Sequence, residues 1–532
     1  MTTCYTNARI FTADDRKAEC FAVCDGKFAY VGSVCEAKKK FPDAQYVDLH
    51  DQFVCPGFND SHMHLLNLGS MLTQAQLSPV TGSLSNVLSA LSAYVQQHAE
   101  DAWILGRGWN QDYFTDETRY PNRDDLDAVC PDKPCMITRA CGHVAVVNSR
   151  ALALAGIDQT APKVDGGRVV TDENSRPNGV LEENALELIN DVIPVPDRAQ
   201  LKRTLLRAME HVNLFGITSV QSDDFSSTKA PFEEVIAAYL ELKEEGRLTV
   251  RVTEQCWLPD KKTLQRFLDQ GYCTGWGDEW FRIGPLKLIG DGSLGSRTAR
   301  LRAPYSDAPE TCGIAPYTQD ALNELCDIAH SHGMQIAAHA IGDGAAELVL
   351  NAIDYAQKHH PREDARHGIV HAQILDHAQA KRMKALNMHA YIQSIFLDYD
   401  TKIVYPRIGK RAEEAYPAAS LLRLGVTVSG GSDSPVEPPD VMTGIQCAVT
   451  RKPVTRKVDQ AYLPHEALTL SQALLSFTAY GAYASFEAEI KGRICEGMLA
   501  DFTVLGIDPF ETAPEFLHKI PVRQTYLAGK PV

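Results

Sequence analysis

Eight short apolar runs separated by helical stretches constrain this chain more than any other feature of its sequence. The first belongs to VCPGFNDSHMH (54–64). The others are ITSVQSD (217–223), LTVRVTEQCW (248–257), IGPLKLIGD (283–291), MQIAAHAIGD (334–343), HGIVHAQ (367–373), MHAYIQS (388–394) and VTVSGGSDSP (426–435). Continuous apolar runs of this length suit strands covered on both faces. Eight of them alternating with helices predict an α/β fold, a closed TIM-like (β/α)8 barrel whose functional side chains collect at the strand C-terminal ends.

The two ends of the chain are β-rich. One carries NARIFTA, ECFAVCDGKFAYVGS with Asp25-Gly26 as a hairpin turn, and QYVDLHDQFV; the other carries KGRICEGMLADFTVLGI and VRQTYLAGKPV. Neither end buries a core alone, so residues 1–55 and 478–532 are expected to share one small β-sandwich around a barrel spanning 56–477. Between the first and second runs the connection far exceeds an ordinary loop. Residues of about 70–195 are therefore expected to form an inserted subdomain over the barrel mouth. Within it the pattern predicts a helix over 84–99, a strand at WILGRGW, a strand in CMITRACGHVAVVNS that enters a helix at Asn148, and a helix over GVLEENALELIND.

A formal charge of −16 argues against nucleic acid and against an anionic membrane surface, leaving a small molecule as the expected partner. No apolar stretch reaches the length of a membrane span, and MTTCYTNARIF lacks the basic and apolar regions of a signal peptide, which together predict a cytoplasmic protein. The 14 cysteines include no CxxC, so they are expected to be reduced and mostly buried.

Strand ends supply the candidate site. His62 and His64 are two residues apart, so along a strand they project from one side, about 7 Å apart, a span that one divalent ion closes. The spacing alone proves little, because His330 and His332 repeat it before Gly333, where the pattern reads as the last turn of a helix. What adds weight is that later strand ends offer Lys287, His339, His371 and Asp433. In a run as apolar as IGPLKLI an unpaired ammonium is costly, which favours a role for Lys287 in the site.

PGFNDSHMH, the lysine of GPLKLIGDGSLGSRTA, AAHAIGD, IVHAQ, GSDSP and the closing KGRICEGMLADFTVL resemble the amidohydrolase superfamily, in order and across nearly the full chain. The insertion, with RACGHVAVVNS and GVLEENA, resembles its family 3 branch, which includes N-substituted formamide deformylases. The resemblance implies that His62, His64 and Asp433 hold one metal ion, that His339 and His371 hold a second, and that Lys287, carboxylated on Nζ, bridges them. One or two zinc ions suit such a donor set. Asp433 is then the base that takes a proton from the attacking water and returns it to the leaving nitrogen.

The activity so implied is hydrolysis of an amide, formamide or cyclic amide C–N bond. Alternatives are a deaminase of the same superfamily and a catalytically inactive scaffold. Deaminases there resemble HxxE after strand five, whereas this chain reads His339-Ala-Ile-Gly-Asp343, without that acid. Arg139, His143, Trp109 and Gln393 are candidate substrate contacts. Glu182 is an alternative ligand or a solvated first-turn helix carboxylate, and Asp60, on the face of His62, is expected to orient a ligand imidazole. His389 reads as core, and a homodimer is the expected assembly.

Overall fold

The computed structural model describes residues 2–14, 16–157 and 159–532, which fall into two compact units: residues up to Leu68 together with Arg198–Val532, and Gly69–Asp197. At the centre of the first unit is an eight-stranded parallel sheet. Its strands are β1 (Phe58–Met63), β2 (Ile217–Ser222), β3 (Arg251–Trp257), β4 (Phe281–Ile289), β5 (Ile336–Ala340), β6 (Gly368–His371), β7 (His389–Ile392) and β8 (Val428–Gly430), paired in chain order. Each coincides with one of the eight apolar runs, and almost every strand residue is buried, as two covered faces require.

β1 and β8 are the two ends of that sheet, and the chain closes the gap between them without a regular ladder. Asp433 N–H donates to the His62 carbonyl and His64 N–H to the Ser434 carbonyl, both at 2.8 Å. The buried Asp60 carboxylate accepts N–H groups from His62 (3.2 Å) and Ser432 (3.0 and 3.1 Å). The approach is so close that a Cβ on Gly431 would lie 2.7 Å from the His62 nitrogen.

Both ends of the chain build one seven-stranded sheet, in which Phe502–Leu505 pairs with Gln45–Pro56. Asp25 and Gly26, with φ of 49° and 75°, make the expected tight hairpin between Cys20–Cys24 and Lys27–Gly32. Aromatic packing fills this sheet's core, with Phe502 stacked on Tyr526 at 4.3 Å and Tyr5 on Phe21 at 5.1 Å. The buried Arg251 of β3 ties the sheet to the barrel through paired bonds to Asp501, at 2.6 and 3.0 Å.

The second unit holds a six-stranded mixed sheet. Ser83 caps the helix Leu84–Gln97, which buries Leu84, Val87 and Leu91, and WILGRGW contains the strand Ile104–Trp109. The segment from Cys135 to Asn148 forms two antiparallel strands, Cys135–Arg139 and Val144–Val147, before the Asn148-capped helix Ser149–Leu154. GVLEENALELIND departs further from expectation. Its first half lies in the strand Pro177–Glu183, and only Glu187–Asn190 is α-helical. Gly179 sits at φ 91°, and a Cβ there would meet the Val147 carbonyl oxygen at 2.4 Å, so close cross-strand contact overrides the helical periodicity.

Among the described residues no helix is long and apolar enough to cross a membrane. His389 is core as expected, its Nε2 2.7 Å from the Ser429 hydroxyl. Burial, aided by the Arg366 charge, pushes its pKa down to about 3. Below the ordinary histidine value near 6.5, the unfolded chain takes up a proton that the folded chain refuses. Stability is therefore present above pH 6.5 and lost as pH falls toward 3, by about 1.4 kcal/mol per pH unit for one such group. We expect the melting temperature of His389→Gln to drop less between pH 7 and pH 5 than that of the parent; an equal drop would show that His389 carries none of the acid sensitivity.

Candidate active site

The C-terminal end of β1 and the turn after β8 bring His62, His64 and Asp433 together, with one ligand atom from each lying within 4.8 Å of the others. Both imidazole Nε2 atoms are 3.3 Å from Asp433 Oδ1. The remaining ring nitrogens fix what those Nε2 atoms are. His64 Nδ1 is 3.0 Å from the backbone carbonyl of Asp223, which only accepts, so Nδ1 carries the proton. His62 Nδ1 is 2.7 Å from Gln255 Oε1, and Gln255 Nε2 donates to the Ser61 carbonyl, which fixes the amide's orientation. Each Nε2 of a neutral ring is thus a lone pair aimed at a carboxylate oxygen. Three acceptors facing one another need a cation or a proton among them.

The electrostatics are consistent with that need. Burial, reinforced by the charge of Lys287, pushes His62 down to about 4, so its ring is neutral at pH 7. Asp433 is held well below the usual carboxylate range because His62 and His64 outweigh the effect of burial. His64 is raised, as Asp433 and Asp223 outweigh its burial.

A second group of donors lies beside the first. His339 Nδ1 is 2.8 Å from Asp291 Oδ1, the carboxylate arrangement that orients metal-binding imidazoles. The His371 ring centroid is 4.4 Å from that of His339 and 5.9 Å from that of His62, and its Nδ1 is buried without a partner. Lys287 Nζ, on a buried side chain, is 3.4 Å from His62 Nε2 and 3.5 Å from Asp223 Oδ2, an oxygen that has no hydrogen-bond partner. Imidazole nitrogens and carboxylate oxygens gathered in this way fit a divalent ion of borderline softness. The backbone is strained here: His371 has φ 75° and Asp433 φ 59°.

Asp60 has a different job from the expected one. Its carboxylate binds backbone N–H groups rather than an imidazole, and the oriented ring of His62 rests on Gln255 instead. Burial pushes Asp60 up to about 7. Gln393 lines a pocket together with His371, and both of its amide atoms are buried without a hydrogen-bond partner.

The other four candidates lie in the second unit. Trp109 is fully buried in that unit's core, its indole N–H donating to the Ile137 carbonyl at 3.1 Å, which leaves no ring surface for a substrate. Arg139 is engaged by Asn110, Gln111 and Asp112. His143 pairs with Glu183 at 2.9 Å. Glu182 is a strand residue, not a helix one, and is held by Arg168 directly across the ladder, at 2.8 and 3.0 Å. His330 and His332 are helix-end residues, His330 buried against His367 and His332 on the Ile328 carbonyl.

Asp223, Gln255 and Asp291 were missed in the sequence. Asp223 directly follows β2 and Asp291 comes two residues after β4, so the strand-end rule itself pointed at both. Gln255 sits inside β3, and its partner on β1, two strands away, appears only once both strands are set against β2.

The Amidohydrolase family model matches residues 45–532. The relative YtcJ of Bacillus subtilis (strain 168) is 33% identical over 520 residues, covering 97% of this chain and 96% of its own. The N-substituted formamide deformylase of Arthrobacter pascens is 26% identical over 546 residues, covering 98% and 96%. Among solved structures, an uncharacterized metal-dependent hydrolase from Pyrococcus furiosus superposes with a TM-score of 0.80 at 29% identity, over 96% of this chain and 100% of its own.

Gln255→Leu removes the acceptor that fixes the His62 tautomer. Affinity for a divalent ion, measured by chelator competition, is expected to fall about 10- to 100-fold, the usual cost of losing such a partner. Parent-like affinity would mean that the ring is positioned by something else.

Proposed function

The chain belongs to the amidohydrolase family, and on that premise we propose that it is a metal-dependent hydrolase cleaving an amide, formamide or cyclic amide C–N bond of a small molecule. The observation that carries this reading is the convergence of His62 Nε2, His64 Nε2 and Asp433 Oδ1 with both Nδ1 atoms already committed. His62, His64 and Asp433 would hold one zinc ion, and His339, His371 and Lys287, as its Nζ carbamate, a second. Zinc there supplies Lewis acidity, acidifying water and polarising a carbonyl.

The chain's own residues do the rest. Gln255, the Asp223 carbonyl and Asp291 hold three imidazoles in their ligand orientation, so no reorganisation accompanies binding. Asp433 turns Oδ1 toward both imidazoles, which leaves Oδ2 to take the proton of the attacking water and pass it to the leaving nitrogen. Asp343, one residue past the place of the deaminase acid, starts the helix Asp343–His359 and accepts the Arg302 N–H at 3.0 Å. It is committed to a structural bond, which favours hydrolysis over deamination. The formamide deformylase among the relatives acts on a bond of the proposed kind.

Asp433→Asn is expected to keep at least one metal ion while lowering kcat about 10²- to 10⁴-fold on whichever N-formyl, N-acyl or cyclic amide the parent turns over. Full activity in that variant would refute the proton-transfer role. Lys287→Ala should lower zinc content by about one equivalent, read by elemental analysis of the purified protein; unchanged stoichiometry would point to a single-metal site.

A further inference from the structure

Beside His371 the first unit holds a small pocket whose walls include Gln373, Gln393, Phe396, Tyr416 and Arg451. Phe396 stacks on the His371 ring at 5.7 Å, which joins the pocket to the proposed metal ligands. Two of its polar side chains are incomplete.

Arg451 is only 2% exposed, yet it makes no ion pair among the described residues. Its Nε donates to the Tyr462 carbonyl at 3.0 Å, and its Nη2 is buried with no hydrogen-bond partner. Acids in the surrounding region are committed elsewhere. Asp400 accepts from the Tyr416 hydroxyl and the Gln373 amide. Glu466 accepts from the N–H and hydroxyl of Ser420 and pairs with Arg423. Burial draws the guanidinium down to about 10, so it stays charged at neutral pH. Gln393, 4% exposed, has neither its amide oxygen nor its amide nitrogen paired.

A buried guanidinium without a counterion is costly, and so is each buried amide atom without a partner. The residue after a helix is often glycine in this left-handed conformation, yet the chain places an arginine there, at φ 54°, capping Val441–Thr450. A planar guanidinium with a free N–H edge is complementary to a carboxylate, and a primary amide to a neutral donor-acceptor group. We propose that this pocket is a substrate subsite in which Arg451 binds a carboxylate and Gln393 an adjacent neutral polar group, so that the hydrolysed molecule is an amide bearing a carboxylate. As a statement about substrate, this rests on the hydrolase reading above. As a statement about binding, it stands by itself. A site built this way discriminates strongly against analogues that leave its donors unpaired.

The test is calorimetric titration of the zinc-loaded full chain with benzoate and with benzyl alcohol, which has the same ring and no charge. Benzoate is expected to bind about tenfold more tightly or better, Arg451→Met to erase that preference, and Arg207→Gln, an exposed helix position, to preserve it. If Arg451→Met does not fold, Arg451→Lys decides the matter, expected to weaken benzoate several-fold. Benzoate affinity that is unchanged in the arginine variants places the carboxylate elsewhere, on zinc included, and overturns the subsite. Arginine-dependent benzoate binding by a protein that hydrolyses no amide would sink the hydrolase reading alone; amide hydrolysis with benzoate affinity indifferent to Arg451 would sink the subsite alone.

Discussion

Where β8 meets β1, the barrel relies on a single buried carboxylate. Asp60 gathers the N–H groups of His62 and Ser432, one from each side of the gap, and two backbone hydrogen bonds flank it. His62 and Asp433 ride on these same two segments, so closing the sheet and setting the distance between two candidate ligands are one event. A carboxylate in an apolar setting is tolerable only with its oxygens paired, and here the pairing atoms are the backbone that carries the site. Gly431 is part of the same constraint, since any side chain there would push the segments apart. The left-handed conformations of His371 and Asp433 cost on the order of 1–3 kcal/mol each, and they persist because the seam and the flanking strands fix them.

Much of this was legible because period and strand ends are local properties. Eight apolar runs gave the barrel, and the residues closing them gave His62, His64, Lys287, His339, His371 and Asp433 without knowledge of register. What was not legible depends on which atoms face each other across strands. Asp60 shares a face with His62, which suggested an imidazole partner, but the gap beside β8 presents it with backbone donors instead. Gln255 in β3 has no motif, and its role appears only when β1 and β3 are set on either side of β2. In the second unit GVLEE carries helical periodicity, yet pairing with Val144–Val147 makes it a strand and gives Glu182 to Arg168. Trp109, a candidate substrate contact, is instead part of the second unit's core, where its bulk is buried.

Inside the barrel unit, charge is treated in two ways. Toward the terminal sheet, Arg251 meets Asp501, while Arg282 and Lys491 share Glu487, so the buried charges find opposite partners. Breaking such a pair typically costs about 3–5 kcal/mol, which makes these contacts structural ties. Around the strand C-terminal ends the bookkeeping is left open: His371 Nδ1, Arg451 Nη2 and both atoms of the Gln393 amide are buried without a hydrogen-bond partner. A protein that satisfies its buried ions in one region and not in another has reserved the second for something outside the chain.

The pairing of Gln45–Pro56 with Phe502–Leu505 has a consequence in time. A ribosome adding about 5–20 residues per second needs roughly half a minute to a minute and a half to travel from one strand to the other. Throughout that interval the early strand offers an unpaired edge and half of an aromatic core, while eight barrel strands emerge in order beside it. The barrel is thus complete in sequence before the sheet that flanks it, and the last strands to be made are the ones that retire the exposed edge of the first.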